Sequence, residues 1–147
     1  MKIRKAKNED AAIIINFQQK MAMETEGLEL DHSTISNGVL AVFSDPSKGT
    51  YYITESDSKP VASLLITPEW SDWRNSYIWW FQSVYVIPEY RRKGVFRHMY
   101  NFIKEEASKE NIPGLRLYVE KDNIRAQLTY QAMGMDGEHY RLFEWMK

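Results

Sequence analysis

The segment Tyr77 to Ile87, YIWWFQSVYVI, is apolar at nearly every position. A strand with one wet face alternates apolar and polar residues, so a run without alternation is covered on both sides. This pattern calls for a central strand in a sheet with helices on both faces. Pro46, Pro60, Pro68, Pro88 and Pro113 partition the rest of the chain, because proline lacks a donor and restricts its predecessor. A first strand is predicted over Ile3 to Ala6. Asn8 then caps a helix running to about Met23, Glu24 to Asp31 forms an acidic loop, and Ser33 to Phe43 is a second helix. Thr50 to Thr54 and Val61 to Thr67 read as a hairpin, with Glu69 to Ser76 an interruption before the long strand. Gly94 to Ser108 reads as a helix, Leu115 to Val119 as a strand, Ile124 to Met133 as a helix capped by Gly134, and His139 to Met146 as a last strand. The expected architecture is a mixed α+β domain, a single one over residues 1–147.

Composition narrows the function. With 19 Lys plus Arg against 20 Asp plus Glu, the net charge of −1 disfavours nucleic acid or an anionic membrane as partner. The absence of cysteine excludes disulfides, a thiolate nucleophile and Cys-based metal sites. His32, His98 and His139 are scattered, so no metal site is expected. The apolar run Ala11 to Ile15 is far short of a membrane span, and the expected location is the cytoplasm.

After the long strand come Pro88, the basic turn Arg91-Arg92-Lys93, and Gly94 at the opening of a helix, with Arg97 one turn in. The first turn of a helix presents unpaired N–H groups and a partial positive charge, a geometry suited to a phosphate or diphosphate. Taken alone, a basic run of this kind is as readily a solvated turn. The segment Arg91-Arg92-Lys93-Gly94-Val95-Phe96 resembles the Arg/Gln-x-x-Gly-x-Gly/Ala signature of the GCN5-related N-acetyltransferase (GNAT) superfamily at its first and fourth positions. Phe96 departs from the small sixth residue; its ring either narrows the approach to the turn or points into the core. Asn123, Ala126, Tyr130, Gly134 and Met135 fit the family's later Asn-x-x-Ala-x-x-x-Tyr-x-x-x-Gly-Met/Phe stretch.

The resemblance implies a central, mostly antiparallel sheet with splayed fourth and fifth strands, and acetyl coenzyme A between them as acetyl donor. It further implies that backbone groups around Val84, Tyr85 and Val86 hold the pantetheine arm. Arg91, Arg92, Lys93, Gly94, Val95, Phe96 and Arg97 would hold the diphosphate, with Asn123 and Tyr130 reaching the cofactor. An amine attacks a thioester directly once neutral and aligned, so the missing cysteine is no obstacle. A tyrosine of pKa about 10 can protonate a departing thiolate of pKa about 8.5, and the resemblance gives that role to Tyr130. The strand carries Gln82 where many relatives place a glutamate; Gln82 can orient a water or the amine but cannot take a proton. Glu26, with Glu24 and Glu29, is the available carboxylate for a base, directly or through water.

The amine acceptor is expected where the loop from Glu24 to Asp31 meets the segment Glu69 to Arg74. There Glu24, Glu26, Glu29 and Asp72 favour a cation, and Trp70, Trp73 and Trp80 line an apolar pocket. One of Trp79 and Trp80 is expected to fill the core instead. Three functions stay open at this level: an N-acetyltransferase for a small-molecule primary amine or a peptide amine, a non-catalytic acyl-CoA-binding module, and, least supported, a nucleic-acid module using Tyr90 to Lys93. A homodimer through the aromatic C-terminal strand is a further expectation.

Overall fold

The computed structural model describes residues 1–147. Its elements are β1 (Lys2–Lys5), α1 (Ala11–Glu26), α2 (His32–Ser44), β2 (Thr50–Ser56), β3 (Lys59–Ser71), β4 (Ser76–Val86), α3 (Val95–Lys109), β5 (Leu115–Leu117) and α4 (Ile124–Ala132). The contacts group the chain into two compact units, Met1–Leu117 and Tyr118–Lys147.

The first unit holds one five-stranded sheet in the order β1-β2-β3-β4-β5, antiparallel except for the parallel pair β4–β5. Alternation along β2 distributes its side chains to two cores. Tyr51 and Ile53 join Ala11 and Ile14 of α1 and Val39 of α2. Tyr52 turns the other way and meets Phe102 of α3, ring centroids 6.0 Å apart. Helices therefore cover both faces, as the unbroken apolar run of β4 requires. Ile78, Trp79, Phe81 and Tyr85 of that strand are all buried.

Two boundaries that bear on the packing differ from the sequence reading, the start of α1 and the end of β3. The start of α1 is not capped by Asn8. Asn8–Asp10 forms a 3-10 turn, and the Asp10 carboxylate accepts from the Lys7 amide at 2.7 Å and from the Arg4 guanidinium at 2.7 Å. The β3 strand does not stop at Pro68 but continues to Ser71, pairing Pro68 with Trp79 and Trp70 with Tyr77. Trp79 donates its N–H to Gly114 on the β5 side. The opposing Pro68 therefore directs its main chain away from β4, where β2 has already ended at Thr50↔Ile66, and its missing donor costs no ladder bond.

The second unit contains α4, and the predicted strand over His139 to Met146 does not form. That stretch is apolar, but no strand pairs with it, and Leu142, Phe143, Trp145 and Met146 are exposed. Without a ladder to satisfy its backbone, apolar composition does not make a strand.

Candidate active site

The geometry starts at a defect in β4. Between the pairs Leu65↔Gln82 and Ser63↔Tyr85, β3 advances two residues and β4 three, a bulge with Ser83 at φ 51°. The Ser83 carbonyl is held by the buried Gln18 of α1, Nε2 to O 3.2 Å. The parallel pairing of β4 with β5 ends at Phe81↔Leu117, just before the bulge, so residues 82–86 have no strand on that side. Past the bulge, Ile87 donates to Val61 and Tyr85 pairs with Ser63, both toward β3. By alternation Val84 and Val86 direct their N–H and C=O groups to the open edge. A strand with one open edge can accept an extended amide-bearing ligand as an added strand.

At the end of this edge the chain turns through the 3-10 segment Pro88–Tyr90 into α3. Arg92 (φ 65°) and Gly94 (φ 77°) are left-handed, and no side chain caps the helix. Left-handed residues before a helix start gather N–H groups into a concavity suited to an anion, which the helix dipole reinforces. A diphosphate fits this turn: a Cβ at Gly94 would meet nothing within 4 Å, and Arg92, Lys93 and Arg97 are exposed around it. The Phe96 ring lies against Phe81 at 6.0 Å and Tyr100 at 6.5 Å, so the large sixth residue of the motif packs toward the sheet core.

The other sequence candidates separate into groups. Gln82 is exposed, and its Nε2 donates to Thr67 Oγ1 at 2.7 Å, which leaves Oε1 to offer a ligand as an acceptor. Trp80 sits beside it on the sheet with the Arg116 guanidinium 5.9 Å from its ring, and Arg116 pairs with Glu69 at 2.7 Å. Trp79 is the tryptophan that fills the core. Trp70 packs edge-on against Tyr77 at 5.0 Å, whereas Trp73 is 93% exposed and Asp72 Oδ1 accepts from the Trp73 amide.

Glu24 does not join this group. It lies on the last turn of α1, where it accepts from the Tyr85 hydroxyl at 3.0 Å and from Arg91. Tyr77 and Tyr85 are eight residues apart on β4, roughly 26 Å at the usual rise. The Glu24 carboxylate and the Trp70–Trp73 tip are therefore not the neighbours the sequence reading expected. Glu26 and Glu29 are exposed and hold no side-chain hydrogen bond.

Burial opposes the charge on Glu24, but the hydrogen bonds from Arg91 and Tyr85 and the Arg91 charge bring its pKa below the ordinary value. The Tyr85 hydroxyl is pushed up by burial and then by the Glu24 bond, so it stays a donor. The Glu24–Tyr85–Arg91 cluster joins residues 61 and 67 positions apart, and no sequence spacing marks it.

In the second unit, Asn123 caps α4, its side-chain oxygen accepting from the Ala126 amide at 3.1 Å. Gly134 (φ 89°) follows the helix in the left-handed conformation. Tyr130 is half-buried, and burial raises its pKa, which keeps the phenol protonated at neutral pH.

Comparisons with known proteins agree with this fold. The sequence profile of the acetyltransferase (GNAT) family matches residues 15–135. No curated protein matches the chain. Among solved structures, a "possible acetyltransferase" from Clostridium difficile 630 is 46% identical, with TM-score 0.91 over 99% of this chain and 97% of that one. A "predicted acetyltransferase with acetyl-CoA" from Clostridium acetobutylicum is 17% identical, with TM-score 0.76 over 97% and 95%. An aminoglycoside antibiotic 6'-N-acetyltransferase from Acinetobacter haemolyticus is 15% identical, with TM-score 0.78 over 100% and 99%. The last two likenesses are of fold. With its family profile spanning most of the chain, the protein belongs to the GNAT family of acetyltransferases.

Proposed function

We propose that the protein transfers an acetyl group from acetyl-CoA to a primary amine of a small molecule. The observation that carries this reading is the open edge of β4 leading directly into the uncapped start of α3. One edge is suited to the two amides of a pantetheine arm, and the other end to a diphosphate. The fold likeness to a structure with acetyl-CoA and to an aminoglycoside acetyltransferase supports donor and acceptor class respectively.

Acetyl-CoA supplies an activated acyl carbon, so the protein's task is alignment, charge stabilisation and proton management. Main-chain N–H groups at Val84 and Val86 hold the donor and face the developing oxyanion. Gln82, fixed by Thr67, offers Oε1 to an amine N–H and orients it. A primary amine of pKa about 10 is deprotonated at pH 7 at a cost of about 4 kcal/mol, within reach of water relayed to an exposed carboxylate such as Glu26. As the C–N bond forms and the C–S bond breaks, the departing thiolate needs a proton, and the resemblance of residues 123–135 to the family stretch gives that donor role to Tyr130.

The test is a panel of amines with acetyl-CoA, reading released thiol, on the native protein and on Tyr130→Phe. Turnover of a small amine is expected, with kcat lowered about 10²- to 10⁴-fold in the variant. CoA binding without turnover on any amine would instead give the binding-module reading. Turnover confined to peptide amines would move the acceptor to protein.

A further inference from the structure

At the junction of α1, β4 and the anion turn, two donors of Arg91, the residue opening the family motif, are taken by this chain's own groups. Its Nε donates to the Val86 carbonyl at 2.8 Å, an Nη donates to Glu24, and the guanidinium lies 5.4 Å from the centre of the Tyr85 ring. Glu24 is engaged in turn, one oxygen taking Arg91 and the other the Tyr85 hydroxyl. Tyr85 is 3% exposed and wedged on Phe17 at 5.1 Å, so the cluster is anchored in the core.

We propose that Glu24 is a positioning residue for the anion turn and not a residue of the amine site. It holds the Arg91 guanidinium on the Val86 carbonyl, and this ties residues 87–94 to the end of β4. Arg91 then serves as a strut, its charge matched by Glu24, and the diphosphate is left to the main-chain amides, Arg92, Lys93 and Arg97. The geometry argues for this on two counts. With Nε on a carbonyl and an Nη on a carboxylate, the guanidinium has its charge matched and two donors spent before an anion arrives. The Val86 carbonyl belongs to the open edge of β4, so capping it removes an acceptor that would otherwise repel a ligand phosphate at the start of the turn. The proposal rests on the reading that CoA occupies this edge.

The experiment is calorimetric titration with CoA, together with steady-state kinetics against acetyl-CoA and an amine turned over by the native protein. The variants are Glu24→Ala, Glu24→Gln, Arg91→Met and the Glu24→Ala/Arg91→Met pair. Glu24→Ala is expected to weaken CoA binding about five- to twentyfold and raise the acetyl-CoA KM in step. The amine KM and kcat should stay within about twofold. The double variant should be no weaker than Arg91→Met alone, since the two residues act as one unit. Glu24→Gln should fall between, because its amide oxygen still accepts from Arg91.

CoA affinity unchanged in Glu24→Ala, or a rise confined to the amine KM, would return Glu24 to the acceptor site and overturn the proposal. Tighter CoA binding in that variant would also overturn it, showing that a released Arg91 grips the diphosphate. Native protein that binds no CoA would defeat the functional reading first, a result distinct from a variant that binds as the native protein does.

Discussion

The two halves of β4 differ in how their backbones are paired. Residues 76–81 are paired on both edges where β5 reaches, and Phe81 is 3% exposed against Phe96 and Tyr100. Residues 82–86 keep β3 on one edge, leave the other open, and carry a bulge with a left-handed serine. Pairing separates the halves: the first is bonded within the sheet on both edges, and the second has a strand on one edge alone. One strand thus carries both a doubly paired stretch and an open edge, with the bulge as the boundary between them.

That contrast is open to attack by substitution. Phe81→Ala removes a buried ring from the fully paired half and should lower stability by about 3–5 kcal/mol in chemical denaturation. The fraction that remains folded should still bind CoA. Gln18→Leu removes the donor to the Ser83 carbonyl and leaves a buried acceptor unpaired, expected to cost about 1–3 kcal/mol. Unlike Phe81→Ala, it should also weaken CoA binding, because the bulge no longer has a fixed shape. If Gln18→Leu lowers stability yet leaves binding intact, the bulge is a feature of the fold alone. Ser83→Gly relieves a left-handed φ on a residue with a Cβ, worth up to about 1 kcal/mol, partly offset by the freer unfolded chain.

The smallest effect belongs to a control far from this edge. The Arg4 hydrogen bonds draw the Asp10 carboxyl below its ordinary pKa, outweighing its burial, with the Lys7 amide helping. A depressed folded pKa contributes stability above the unfolded value near 4, and that stability is lost as pH falls through the folded value. Acid denaturation should therefore steepen below about pH 4 in the native protein and less so in Arg4→Met. Ligand affinity should be the same in both.

These features differ in how far sequence could announce them. The central strand was legible in Tyr77 to Ile87 because double coverage erases alternation. The start of α3 was legible in Pro88 and Gly94, both found where a chain stops and restarts. The extension of β3 past Pro68 was hidden, since a proline is tolerated once the strand on its outer side has ended, and that depends on where β2 stops. The Glu24–Arg91 pair was equally hidden. The acidic residues after Met23 read as a loop, yet α1 runs on to Glu26 before Gly27 (φ 60°) ends it, placing Glu24 on a helical turn against β4. The apolar stretch 139–146 misled in the opposite direction, because composition reports what a segment could bury and not whether a partner strand exists.

In the proposed reading, the open edge of β4 and the amides at the head of α3 together receive a CoA thioester. Calorimetric titration of the native protein with CoA, run beside acetyl-pantetheine, which lacks the diphosphate, tests it most directly. One site per chain is expected, with Kd of about 1 μM to 1 mM for CoA, and binding of the truncated thioester at least about tenfold weaker. No heat with CoA, or equal affinity for the two compounds, would contradict it.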